Sequence, residues 1–127
     1  MTDFHPFIVH FPVALFITAA LMELMMWVFP ICPRQNTLAI FLLAALFSIV
    51  AALTGNAAEF EAGRIPGIDL TLISHEQAGN FVTFSGIGFS FFLVYMKFKF
   101  PSKSLDMLRR VIFLLMAVVV LYTGYLG

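Results

Sequence analysis

Three histidines, His5, His10 and His75, carry all the imidazole in a chain of 127 residues. Imidazole is the side chain best suited to hold haem iron, zinc or copper and to move protons near neutrality. Two of the three stand five residues apart in Asp3-Phe4-His5-Pro6-Phe7-Ile8-Val9-His10-Phe11-Pro12, which runs straight into an apolar stretch, and the third stands in Ser74-His75-Glu76-Gln77. Other reactive groups are sparse. Cys32 is the single cysteine and has no histidine near it in the chain, no glycine-rich phosphate loop occurs, and the carboxylates are scattered. No catalytic constellation is visible, so no enzymatic activity of its own is expected.

The elements that must position these histidines are membrane helices. Hydrophobic residues make up 61% of the chain, with 16 Phe and only 11% charged residues, and the mean hydropathy is +1.00. Such a composition lies outside the range of soluble domains. A hydrocarbon core roughly 30 Å thick takes about 20 apolar residues per helix. Four stretches meet or approach that length, at about 7–29, 37–58, 74–96 and 108–127. Barrel strands would alternate apolar and polar residues; these runs are apolar on every face. The expected fold is therefore all-α, a single integral membrane domain of four transmembrane helices. Pro30, Pro33 and Asn36 end the first span, Gly63 and Pro66-Gly67 fill the second connection, and Pro101-Ser102 mark the third.

Basic residues give the orientation, because Lys and Arg are retained on the cytoplasmic side. Lys97, Lys99, Lys103, Arg109 and Arg110 flank the third connection and Arg34 lies in the first, with only Arg64 opposite. Both termini are expected outside, in the bacterial cytoplasmic (inner) membrane. Met1-Thr2-Asp3 has no basic lead and no small-residue cleavage site follows, so the first span reads as retained. Cys32 on the cytoplasmic side implies no disulfide, and zero net charge gives nucleic acid nothing to bind.

In an antiparallel four-helix order the polar residues gather at the outer face: His5 and His10, then Thr54-Gly55-Asn56-Ala57-Ala58-Glu59, then Ser74-His75-Glu76-Gln77, then Tyr122-Thr123-Gly124-Tyr125. Ionisable groups at membrane depth are costly, and their convergence points to function. Helix ends near headgroups also carry such residues for purely interfacial reasons. Helical spacing places Ala14 one turn below His10 and Gly79 one turn below His75, with Gly86 two turns deeper still. Small residues beneath two imidazoles leave a recess for a flat macrocycle. Equally, Ala14, Gly79 and Gly86 can serve close helix packing, as the Ala44, Ser48, Ala51, Ala52, Gly55 stripe of span two does. His5 lies ~140° around an ideal helix from His10 and is expected to act as a cap or gate. Pro6 suits the first helical turn, and Pro12 frees the Ile8 carbonyl.

Two readings stay open for span three. Ser74 with Gln77 reads as a capping box, placing His75 on the first turn; a helix starting near Asp69 or Thr71 places His75 deeper. Glu23, among Met22, Met25 and Met26, is either a proton or quinone site or a carboxylate that faces Arg34 or the headgroups or pairs with Arg109 or Arg110. Trp27 reads as an interfacial anchor.

These residues resemble a known family. His5-Pro6-x-x-x-His10-Phe11-Pro12-Val13-Ala14-Leu15, Gly55-x-Ala57-Ala58, His75-Glu76-x-x-Gly79 and Thr123-Gly124-Tyr125-Leu126-Gly127 look like the domain-of-unknown-function family numbered twenty-two thirty-one, small four-span bacterial membrane proteins. The resemblance covers essentially the whole chain. It implies a membrane redox context beside c-type cytochrome modules, and b-type haem held by the motif histidines. Some members carry His where this chain has Tyr125, so a two-haem, four-histidine scheme lacks a ligand here. One haem between His10 and His75 is the arrangement expected, with His5 as substitute.

Three functions compete. The first is electron transfer through one haem b near the outer face, with quinone or a periplasmic c-type cytochrome as partner. The second is a zinc or copper site from His5, His10 and His75 with Glu76 or Glu59. The third is a cofactor-free structural or accessory subunit, packed in the lipid bilayer against protein partners or further copies of itself.

Overall fold

The computed structural model describes residues 4–29, 34–62, 69–99 and 103–126, with side chains at 4–29, 35–57, 72–99 and 105–126. These residues form α1 (His5–Val28), α2 (Arg34–Ala62), α3 (Asp69–Lys99) and α4 (Lys103–Leu126). Three of the four are long and apolar enough to cross a membrane: His5–Val28, Gln35–Ala57 and Leu72–Lys99.

Local chemistry sets the ends of α1. Phe4 occupies the cap without a side-chain bond, and Pro6 sits in the first turn, where its missing N–H costs nothing. Phe29 leaves the helix in an extended conformation, as a residue before proline must, and its N–H still reaches the Met25 carbonyl at 2.7 Å. Pro12 is buried within the helix, which runs on past it. At α3 the capping-box reading is corrected. The helix begins at Asp69, so Ser74 is an interior residue and His75 lies six residues in. Leu70, Thr71, Leu72 and Ile73 contain no breaker that would delay the start.

The helices form a ring in which chain neighbours touch and α4 closes against α1. Contacts show the directions. Late α1 meets early α2 and early α4 through Glu23 with Thr37 and Arg109, while the start of α1 meets late α2 and early α3 through His5. Neighbours therefore run antiparallel.

At mid-height the core is aromatic. Phe16, Phe41, Phe113 and Met116 are buried almost completely. The Phe16 and Phe41 rings pack edge to face at 5.1 Å, and Phe41 meets Phe113 at 4.5 Å. Such contacts are worth ~0.5–1.5 kcal/mol each beyond burial. Ala19 and Ala44 are fully buried and let the backbones approach. Interior hydroxyls return their hydrogens to carbonyls, Ser48 to Ala45 at 2.7 Å and Ser90 to Gly86 at 2.7 Å. Large side chains such as Phe84 and Phe91 stand about three-quarters exposed.

Candidate functional site

The inner stripe of α1 runs His5, Val9, Pro12, Phe16, Ala20, Glu23, at helical steps of three and four. Each end of that stripe carries a polar group.

At one end Glu23 is buried to 1% exposure. It accepts from the Thr37 hydroxyl at 2.6 Å, and an Arg109 terminal nitrogen spans its two oxygens at 2.9 and 3.1 Å. Beside it Arg110 lies over the ring of Trp27 at 5.4 Å. The pairing reading of Glu23 is the one seen, with Arg109 as its cation. The Arg34 side chain and Cys32 lie outside the described residues.

At the other end the helices part around a cavity of about 660 Å³, within the ~300–1,000 Å³ typical of ligand pockets. His5, His10 and His75 all line it, with Glu76, Asn56 and Thr123. Other members of the polar clusters expected here do not join them: Ser74, Gln77, Tyr122 and Tyr125 are exposed and line no part of the cavity.

The pairing of the imidazoles differs from the sequence reading. His5, and not His10, is the ring beside His75: their centroids are 6.5 Å apart with planes at 82°. Two imidazoles on opposite sides of one ion, each with a metal–nitrogen bond of ~2.0–2.1 Å, have centroids on the order of 6 Å apart, and this pair stands near that distance. His10 is exposed, borders the cavity, and turns its Nδ1 to the Pro6 carbonyl. The physical cause is the choice of helix face. His10, Ala14, Thr18, Leu21 and Met25 form the exposed stripe of α1, so Ala14 lies outside the cavity and forms no recess under an imidazole. Glu23 could have supplied the correct face, since stepping back from a buried carboxylate by threes and fours reaches Phe16, Pro12 and His5.

Neighbours fix the His5 ring. Its Nδ1 lies 3.0 Å from the Thr54 hydroxyl oxygen. A Cβ on Gly55 would stand 2.9 Å from its Cε1 atom, so only glycine leaves the ring its place. Across the cavity His75 Nδ1 is buried and has no hydrogen-bond partner among the described residues. Buried polar atoms are nearly always satisfied; Arg109 Nε and Arg110 Nε at the far end are exceptions of the same kind, and of the three residues only His75 lines the cavity, where a bound group could complete it. Gly79 lines the cavity, and a Cβ added to it would meet nothing within 4 Å, whereas a Cβ on Gly86 would meet Phe16 at 3.1 Å. The two readings of these glycines thus divide: Gly79 borders space, and Gly86 admits a packed neighbour.

Among the described residues no group of three or more His, Cys, Asp or Glu side chains stands ready to hold a metal ion. The Glu59 side chain lies outside them, and Glu76 faces Asn80 at 3.5 Å. Asn80, four residues beyond Glu76, is a lining residue that the sequence reading missed. Compared with family profiles, curated proteins and solved structures, the chain matches none.

Proposed function

We propose that this chain is a bacterial inner-membrane subunit that binds one b-type haem at its histidine end, where His5 and His75 would hold it, and serves electron transfer. The observation that carries the reading is a close pair of imidazoles, 6.5 Å apart, in a cavity of about 660 Å³. The unpartnered His75 Nδ1 and the small residues Ala51, Ala52, Gly55 and Gly79 around the space support it. So does the resemblance of the His-Pro and His-Phe-Pro motifs to a redox-associated family.

In this reading α4 is a fourth span, for which its unbroken apolar run from Val111 to Leu121 speaks. Lys97, Lys99, Arg109 and Arg110 at the opposite end favour a cytoplasmic placement there. The histidine end then faces outward, within reach of quinol or a periplasmic c-type cytochrome. Haem supplies a one-electron couple. The chain's part is to hold the iron by two nitrogens, and to surround it with Val9, Val13, Val82 and Val120, whose apolar walls restrict water and so tune the potential.

The test is a dithionite-reduced minus oxidised spectrum of the protein purified in mild detergent. An α-band that disappears in His5→Ala and in His75→Ala but survives in His10→Ala is expected. A protein without the band, or a band indifferent to both substitutions, defeats the reading. One observation favours a cofactor-free accessory subunit instead: Phe81, Phe84, Phe91 and Phe98 form an exposed aromatic stripe along α3, which suits a partner helix as well as lipid. That alternative predicts a larger complex on native gels and no haem band.

A further inference from the structure

We propose that Thr54 is a positioning residue that holds His5 as its Nδ1–H tautomer and so presents the Nε2 lone pair for ligation. The ligation rests on the haem reading above, but the tautomer does not.

The acceptors around the Thr54 hydroxyl favour His5 as the donor. A threonine hydroxyl has one hydrogen and two lone pairs. Thr54 Oγ1 lies 3.1 Å from the Val50 carbonyl oxygen and 3.0 Å from that of Ala51. Both oxygens only accept, and threonines within helices commonly give their hydroxyl hydrogen to such carbonyls; in the proposal Thr54 does the same. His5 Nδ1, 3.0 Å from Oγ1, then meets a lone pair and is the donor. A neutral imidazole carries one N–H. With that hydrogen on Nδ1, the lone pair is on Nε2.

Gly55 completes the seat, because its missing side chain lets the Cε1 edge of the ring lie against α2. His10 has the same tautomer by another route, since the Pro6 carbonyl beside its Nδ1 can only accept. What separates the two histidines is the helix face: His5 is turned to His75, and His10 shares the outward stripe. Histidines that ligate metals usually give their second N–H to such an acceptor, and losing it costs about 10- to 100-fold in metal affinity.

The experiment compares wild type, Thr54→Val and Thr54→Ser as full-length protein in detergent. The first readout needs no cofactor: ¹⁵N NMR of histidine-labelled protein, with His5 assigned by its loss in His5→Ala. A protonated Nδ1 and a bare Nε2 are expected in wild type and Thr54→Ser, and a mixture of tautomers in Thr54→Val. The second readout is hemin titration, with affinity about 10- to 100-fold lower in Thr54→Val and near wild type in Thr54→Ser. An Nε2–H tautomer in wild type, or a Thr54→Val protein unchanged in both readouts, overturns the proposal. If wild type takes up no hemin, the haem reading falls, and the NMR comparison alone still decides whether Thr54 orients His5.

Discussion

The two ends of the bundle solve the same problem in opposite ways. Each places ionisable side chains inside an apolar helix ring, where unpaired charge and unpaired hydrogen bonds are expensive. At the arginine end every oxygen of Glu23 has a donor, and α1, α2 and α4 close around it. At the histidine end the helices stand apart, and His75 Nδ1 goes without a partner among the described residues. Burial of a polar group is common to both ends and distinguishes neither. Completeness of hydrogen bonding does not separate them either, since Arg109 Nε and Arg110 Nε are also buried without a partner among the described residues. The space beside the unpaired atom does: His75 lines the cavity, where a ligand can reach it, and the two arginines do not.

The sharpest way to break this contrast is at the arginine end. Arg109→Leu leaves the Glu23 carboxylate buried without its cation, a change that costs about 3–5 kcal/mol. The double variant Glu23→Leu with Arg109→Leu removes both charges and should recover most of that loss, because a buried pair is worth little against well-packed apolar residues. Unfolding in mixed detergent micelles, followed by Trp27 fluorescence, measures both. A single variant as stable as wild type would show that Glu23 is not held by Arg109. The histidine-end spectrum should be unchanged in the double variant, since the Phe16, Phe41 and Phe113 core separates the two ends.

An intermediate effect is expected where α3 is packed. Gly86→Leu drives a side chain into Phe16, whose ring already stands 3.1 Å from the position of a single added Cβ. Overpacking of this kind costs roughly 1–3 kcal/mol. The same detergent unfolding assay reads it, and a neutral outcome would mean that the aromatic core yields.

Much of this was legible in the sequence. Apolar runs and their proline and glycine breaks marked all four helices to within a few residues at most ends, because helix length and lipid exposure are written in composition. The meeting of His5, His10, His75 and Thr123 at one end follows from short connections and antiparallel order. Which histidine faces inward was not legible from the small residue beneath His10. Ala14 and Ala20 are the same residue type, yet one faces out and the other is buried, because in a lipid-facing helix apolarity no longer separates inside from outside. Polar residues carry that information instead, and Glu23 was the marker. For α3 the sequence left two starts open, at Ser74 or near Asp69 or Thr71, and the helix takes the earlier one.

Gly79 gives the smallest effect and the finest discrimination. It lies on the same helix as Gly86, seven residues earlier, yet a Cβ there meets nothing within 4 Å. Gly79→Ala should therefore stabilise the protein, by up to about 0.8–1 kcal/mol from helix propensity, where the same change at a packed glycine would be offset by strain. The added methyl projects beside the cavity that Gly79 lines, so hemin affinity should fall slightly while the unfolding midpoint rises. Stability and binding moving in opposite directions is what a glycine facing vacant space predicts. A Gly79→Ala protein that loses stability would mean that the helices close over this position in the membrane, and that the space at the histidine end belongs to packing after all.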